Sequence, residues 1–484
     1  GNGSCQSNGG KTDFNGHRRQ AVGNNGNNGK IMNFNEIENL VSYAKEKLEL
    51  KRRDENYKAN RLLEITESGL SGAELEDAVY GELSLLPSET DARFAEIFKE
   101  HGSKAATDWL YNYCVNNKYV KKDVLDKNPR FNAENGLIIT INKAKPEFRD
   151  PKKASAGNSV DGGFAKCVIC RRNEGFGARN KRNLRTVSVT LGGKPWFWQY
   201  SPYGYFREHG IAVNCEHTPM RIDRQTLENL VDFADKFPHY FIGCNAPLER
   251  IGGSVLAHDH YQGGGEVLPL HKAKIKINIK DKIYPYVTAG VLDWAGTVIR
   301  VKSDKRNEVI DIADRIRRAW IKYSNPELGI IAEDGNGAHN AISPTVIKTV
   351  NGYEMNIILR SNITSGEYPD GVFHAHPEYH SIKKESIGLI EAQGLFILPG
   401  RLEEEVREIE RIIVAKEELP AGYAQFKLVY DETKALYKSG KYKDVHRAMQ
   451  EELGSICYRI LQNTAVFKKD EDFLRFLTEA GFER

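Results

Sequence analysis

GGSVLAHDHYQGGG, residues 252–265, runs from an apolar segment (Val255, Leu256, Ala257) into His258-Asp259-His260-Tyr261-Gln262 and then three glycines. Read as an extended strand, it places alternate side chains on one face, so His258, His260 and Gln262 share a surface. Imidazole can bind a metal, shuttle protons or attack phosphorus. The glycines that follow let backbone N–H groups come close to phosphate oxygens. The plain alternative is a polar strand face that happens to hold two histidines.

Outward from this stretch, strand signals dominate residues 167–375: RTVSVTL, GIAVNC, HYFIGC, SVLAHDHYQ, KIKINI, AGTVIRV, NPELGIIAED and EMNIILR. Two helical patterns interrupt them, at 224–237 and 308–324. The fold class that follows is α+β. Before this block lies a mainly helical region, residues 32–145. Its first helix repeats Ile37, Leu40, Val41, Ala44 and Leu48 on one face. NGLIITINKAK, near 135, alternates like a strand, and 145–165 is loop-like. After the block, residues 401–484 are helical again. Residues 1–31 are rich in Gly and Asn and precede the first methionine, Met32. They are expected to be a disordered tail or an added leader.

Three further features carry chemistry. Cys167-Val-Ile-Cys170 has the bite of a turn around a metal ion, with His217 (in NCEHTPM) and His258 as downstream candidates. The spacing is not that of a zinc finger, and two ordinary thiols or a redox pair are the alternatives. His374-Ala375-His376 is a second HxH, with His380 after it and His339 upstream. Directly after the CxxC, RRNEGFGARNKRNLR (171–185) mixes Arg, Gly and Asn in a way that suits a phosphate cradle, although a charge run is more often a solvated face.

Composition bounds the rest. At roughly 100–200 residues per domain, 484 residues suggest two to four domains or one large duplicated unit. Hydrophobic residues make up 40% and charged residues 28%, as in an ordinary globular protein. No apolar run approaches the roughly 20 residues that a membrane helix needs. The net charge of +3 gives no reason to expect a nucleic-acid partner. Seven cysteines, an odd and sparse count, fit a reducing, cytoplasmic setting.

Taken together, CVIC–RRNEGF, SPYGYFREHGIAVNCEHTPM, FPHYFIGCNAPLERIGGSVLAHDHYQGG and FHAHPEYHSIKKESIGLIEAQGLFILPGRL resemble the bacterial type 2 galactose-1-phosphate uridylyltransferases (UDP-glucose–hexose-1-phosphate uridylyltransferases). The motifs keep their order from about residue 33 to the C-terminus. The resemblance implies a duplicated histidine-triad-like antiparallel sheet flanked by helices. Its halves would fall at 146–270, with CxxC and HxHxQ, and at 271–400, between the helical ends 32–145 and 401–484. It implies His260 as nucleophile, with Gln262 donating to a phosphoryl oxygen. Asn245, Gly252 and Ser254 would wrap the nucleotide phosphates. Lys384 and Gln393 would hold the hexose 1-phosphate. Cys167, Cys170, His217 and His258 would bind zinc, and His339, His374, His376 and Glu266 a second metal. The partners implied are a UDP-hexose and a hexose 1-phosphate, with a homodimer as the expected assembly. Two departures from the type 1 relatives stand out: Asp259 replaces a proline, and Ser254 sits one residue farther from His258. The rival expectations are a nucleotide phosphorylase of the same superfamily and an inactive binding protein on this fold.

Overall fold

The computed structural model describes residues 32–144, 164–253 and 255–484. The expected tail at 1–31, most of the 145–165 loop and Ser254 lie outside the described residues. Helix α1 (Phe34–Lys47) starts where Asn33 and Glu36 cap each other's backbone N–H. Its apolar face, Ile37, Val41, Ala44 and Leu48, shares a core with α2 (Glu55–Thr66) and α3 (Gly72–Leu83). α4 (Pro87–Asn116) leaves helical geometry at Gly102, φ 85°, a left-handed conformation that costs glycine no Cβ clash. Two short strands follow, β1 (Arg130–Asn132) and β2 (Ile138–Asn142).

The body is a sheet of eleven strands. Its first half holds β3 (Val187–Leu191), β4 (Lys194–Tyr200) and β5 (Gly210–Asn214), then helix α5 (Arg224–Lys236), β6 (Phe241–Gly243) and β7 (His260–Gly264). Its second half holds β8 (Ile275–Asp281), β9 (Thr288–Leu292) and β10 (Val298–Ser303), then α6 (Arg306–Trp320), β11 (Asn340–Thr349) and β12 (Gly352–Ser361). The spatial order is β3-β4-β5-β7-β6 followed by β11-β12-β10-β9-β8. Each half therefore orders its strands first, second, third, fifth, fourth, with one helix between the third and fourth. The halves meet fourth strand to fourth strand, Thr345 opposite Gly243 and Val346 opposite Ile242. This is the expected duplication: two copies of one topology share a single antiparallel sheet.

α5 and α6 cover one face, over a hydrophobic core that runs through both halves and includes Trp196, Trp198, Phe233, Tyr261, Trp320 and Ile357. Against the other face lie β13 (Leu395–Pro399) and the short helix α7 (Leu389–Ala392), through Phe241, Leu268, Ile390 and Ile397. β13 runs parallel to β2. Residues 130–142 thereby pack with α8 (Leu402–Ala415), α9 (Lys427–Lys438) and α10 (Val445–Thr464). The last helix, α11 (Asp470–Glu479), brings Phe473 and Phe476 onto Phe467 and Trp320. β14 (Phe482–Glu483) then pairs with β8. At the opposite end β3 is the outermost strand, and Asp91 of α4 accepts from both Ser188 N and Ser188 Oγ, which blocks that edge.

Three local expectations change. NPELGIIAED is not a strand: Pro326–Leu328 is a 3-10 turn closed by Gly329 at φ 70°, and only Glu333–Asp334 joins a two-residue ribbon with Gly337–Ala338. Conversely, NAISPTVIKT forms a ten-residue central strand despite Pro344. The proline is tolerated because its carbonyl points toward β6 just where that short strand ends, so no ladder N–H is needed there. Finally, the strand expected from residue 254 begins only at His260.

Ile242 is fully buried at the junction of the halves. Ile242→Ala should destabilise the protein by about 2–5 kcal/mol, read as a lower urea midpoint. An unchanged midpoint would mean that the junction carries no core packing.

Candidate active site and metal centre

The sheet register places the polar groups. Val213 lies opposite His260, Ile211 opposite Gln262, and Gly243 opposite Gln262. His260 and Gln262 thus share the face away from α5, whereas Tyr261 points at α5, stacking on Trp196 at 4.6 Å and accepting from Asn229 at 3.0 Å.

His258 sits in the bend before β7. Its Nε2 is 2.8 Å from the carbonyl of Asn214. A carbonyl only accepts, so Nε2 carries the proton and Nδ1 presents its lone pair to the cysteines. Nδ1 lies 3.3 Å from Cys167 Sγ and 3.6 Å from Cys170 Sγ. Cys170 Sγ is 3.3 Å from His217 Nδ1, and the two sulfurs stand 3.5 Å apart, unbonded. All four ligand atoms fall within 4.8 Å of one another. Around a tetrahedral ion with bonds of about 2.3 Å to sulfur and about 2.0 Å to nitrogen, ligand atoms stand about 3.3–3.8 Å apart. The donor set fits such an ion: two thiols, a buried histidine with its second nitrogen already bound, and a half-buried one. Cys170 is pulled below the usual thiol range, first by the Cys167 thiol and then, against its burial, by His258 and His217.

The turn that presents the cysteines is tied down from several sides. Asn173 Nδ2 donates to the carbonyls of Cys167 (2.8 Å) and Cys170 (2.9 Å). Arg179 donates to Cys167 O and Asn173 Oδ1, and Gln199, on the same sheet face as His260, donates to Ile169 O. The basic run 171–185 is therefore largely a tether rather than an open cradle. Arg182 pairs with Asp77 of α3, and Arg185 donates to the carbonyls of Gly81, Leu85, Arg182 and Leu184. Arg171 reaches Asp91 and Ser188.

His260 is buried, and its Nδ1 donates to the carbonyl of His258 at 2.7 Å. The other nitrogen, Nε2, holds the lone pair. Burial pushes the imidazole down to about 4, so the ring is neutral at ordinary pH. Gln262 is half-buried, and its Oε1 lies 3.2 Å from Nε2 of His209, a residue that sequence reasoning passed over although it stood in the quoted SPYGYFREHG. Asn245 Oδ1 accepts from Leu389 N at 2.8 Å, which brings the first half to the Ile387–Leu389 segment of the second. Asn245 Nδ2, without a partner among the described residues, borders Gly253. Gly252 is fitted to its loop, since a Cβ there would meet Ala246 O at 2.4 Å.

Other expected residues are placed differently. Gly263 and Gly264 serve close packing: added Cβ atoms would meet Phe241 O at 2.2 Å and Glu208 O at 2.5 Å. Lys384 is exposed and 3.9 Å from Asp370. Gln393 is fully buried. The second metal set does not gather. Among the described residues, Cys167, Cys170, His217 and His258 are the one group of three or more His, Cys, Asp or Glu with ligand atoms so close. Glu266 instead pairs with Arg130 and accepts from Arg207 N. His339 bonds Asn362 and Asp334, His374 bonds Ala375 O, and His376 stacks on Tyr368 and bonds Val372 O. The nitrogens that make the hydrogen bonds, His339 Nδ1, His374 Nδ1 and His376 Nε2, are engaged by protein oxygens.

The family model described as galactose-1-phosphate uridyl transferase, C-terminal domain, matches residues 205–425. Curated relatives named galactose-1-phosphate uridylyltransferase match along most of the chain. One from Bifidobacterium longum subsp. longum is 52% identical over 84% of this chain and 79% of its own length. One from Ligilactobacillus salivarius is 36% identical over 93% and 94%. One from Bacillus subtilis is 38% identical over 82% and 80%. A crystal structure of yeast Ap4A phosphorylase Apa2 is 12% identical and aligns over 70% of this chain with a TM-score of 0.30, a likeness too weak to bear argument.

Metal-stripped protein titrated with Co²⁺ should saturate at one ion per chain and develop thiolate-to-metal charge-transfer absorption. Cys170→Ser should abolish most of that absorption. A titration without such bands would leave Cys167 and Cys170 as ordinary thiols.

Proposed function

Because the chain belongs to the galactose-1-phosphate uridylyltransferase family, we propose that it moves uridylyl between UDP-glucose and galactose 1-phosphate through a covalent uridylyl-histidine at His260. The products are UDP-galactose and glucose 1-phosphate, a step of galactose metabolism. The observation that carries the reading is the His260 Nδ1–H donated at 2.7 Å to the carbonyl of His258 in the preceding bend, which leaves Nε2 as a neutral nucleophile.

The exchange needs a carrier that conserves the energy of the pyrophosphate bond, and a P–N bond to imidazole does so. Nε2 attacks the α-phosphorus, the P–N bond forms, and the bridging P–O bond breaks. Glucose 1-phosphate leaves with the electron pair. Nδ1–H stays on the His258 carbonyl throughout, so the uridylylated ring is cationic and remains a good leaving group. A phosphate oxygen of galactose 1-phosphate then attacks the same phosphorus and restores neutral His260. The departing sugar phosphate carries its own charge and needs little acid help. This agrees with a neutral Gln262 beside the nucleophile: its carboxamide N–H can bind a phosphoryl oxygen but cannot pass a proton to water. Asn245 and Gly252 would border the nucleotide phosphates, and the exposed ammonium of Lys384 would take the hexose 1-phosphate. The described geometry gives no support to a ligand role for Gln393.

We assign zinc to Cys167, Cys170, His217 and His258. Four protein ligands leave no open position for an activated water, so the ion would be structural, anchoring the bend that presents His260.

His260→Ala should lower exchange by at least about 10⁴-fold while the urea midpoint stays near wild type. Intact-mass analysis after mixing with UDP-glucose should find one added UMP on wild type and none on the variant. Turnover that survives in His260→Ala overturns the assignment. Initial-rate lines at several fixed UDP-glucose levels should be parallel, and intersecting lines would mean a ternary complex. Freshly purified protein should contain close to one equivalent of zinc, and Cys167→Ser should lose zinc and stability together. Full activity with almost no zinc would remove the metal from the reading.

A further inference from the structure

A carboxamide beside a phosphate has two nearly isosteric orientations with opposite consequences. With its NH₂ toward the phosphoryl oxygens it donates; flipped, it sets a carbonyl dipole against their charge. Something must choose between them, and the face around Gln262 contains one candidate.

His209 is the residue before β5, and β5 pairs with β7 so that Ile211 faces Gln262. Its ring is buried, stacked against Tyr205 at 4.8 Å and packed against Phe206 at 4.5 Å. Burial pushes it down to about 4, so it is neutral and carries one N–H. Nε2 lies 3.2 Å from Gln262 Oε1, and Nδ1 has no partner among the described residues. A proton on Nδ1 would be a buried N–H with no acceptor, rarer and costlier than a lone pair without a donor. The proton therefore belongs on Nε2, which donates to Oε1. That turns the Gln262 NH₂ away from the buried ring, on the sheet face that Gln262 shares with His260.

The loop that carries His209 is braced separately. Arg207 N donates to Glu266, the Arg207 guanidinium donates to Gly265 O, and Glu266 pairs with Arg130. Gly265 N in turn donates to Arg207 O at 3.0 Å. Glu266, expected as a metal ligand, thus clamps the end of β7 to the segment that ends in His209.

We propose that His209 is a positioning residue: by donating to Gln262 Oε1 it fixes the carboxamide with its NH₂ toward the transferring phosphoryl group. The inference rests on the uridylyl-transfer reading of His260 and Gln262. It assigns a part in the reaction to a residue that touches no substrate.

The test is a double-mutant cycle on the exchange of UDP-glucose with galactose 1-phosphate. His209→Phe keeps an aromatic ring between Tyr205 and Phe206 but removes the donor. It should lower kcat by about 10–100-fold with KM for UDP-glucose shifted less than about threefold. His209→Gln, whose Nε2 can stand where the imidazole Nε2 stood, should recover most of kcat. In a Gln262→Ala background, His209→Phe should cost less than about twofold more. The proposal is overturned if His209→Phe keeps wild-type kcat, if it costs the same factor with and without Gln262, or if Gln262→Ala is itself silent. Should His209→Phe fail to fold, His209→Gln against His209→Met makes the same comparison with flexible side chains of similar size. Failure of the underlying reading shows elsewhere, as exchange that survives His260→Ala.

Discussion

Everything at this site hangs on His258, which meets four groups through three of its atoms. Its Nε2–H is taken by the Asn214 carbonyl, its Nδ1 faces two sulfurs, and its own carbonyl accepts the Nδ1–H of His260. The first bond selects the tautomer needed for the second. The third selects the tautomer that leaves His260 Nε2 free. One residue therefore joins the Cys2His2 group to His260, with only Asp259 between them. A shift of that bend would displace His258 Nδ1 and His260 Nε2 together.

The rest of the fold keeps that bend in place. β7 lies between β5 and β6, well inside the sheet. The CxxC turn is bound through Asn173, Arg179 and Gln199, and the basic segment after it is bound through Arg182 and Arg185 to the N-terminal helices. Those helices contribute no side chain to the chemistry described, yet they set the position of the turn that carries two of the four ligand atoms. From the second half, the Ile387–Leu389 segment reaches Asn245. Both copies of the repeated topology thus border one site. This is a consequence of joining the halves at β6 and β11, which brings the segment after β12 to the end of β6.

Much of this was legible in the residues alone. The helical ends and the α+β body follow from periodicity, and the grouping of Cys167, Cys170, His217 and His258 follows from the family resemblance, since CxxC spacing alone leaves ordinary thiols or a redox pair open. The errors have physical causes. Pro344 hid a central strand because a proline is tolerated where the neighbouring strand ends. Pro326 and Gly329 broke an apolar run that alternation alone would extend. Basic residues after the CxxC suggested a phosphate cradle, but counting charges cannot find the carboxylates and carbonyls, Asp77, Asp91 and Leu85 among them, that lie about a hundred positions earlier. His339, His374, His376 and Glu266 were grouped by residue type, and packing gave each its own partner.

The sequence by itself determined which side chains stand together: imidazoles two residues apart, a neutral glutamine two further on, and a cysteine pair, all spacings fixed along the chain. Tertiary structure alone decided which nitrogen of each histidine is free, because that depends on a carbonyl from residue 214 for His258 and on a bend for His260. It likewise brought His209 to Gln262 across two paired strands, 53 positions apart in the chain. Spacing can be read along a chain, but a tautomer or an amide's orientation is set by hydrogen-bond partners that only folding brings near.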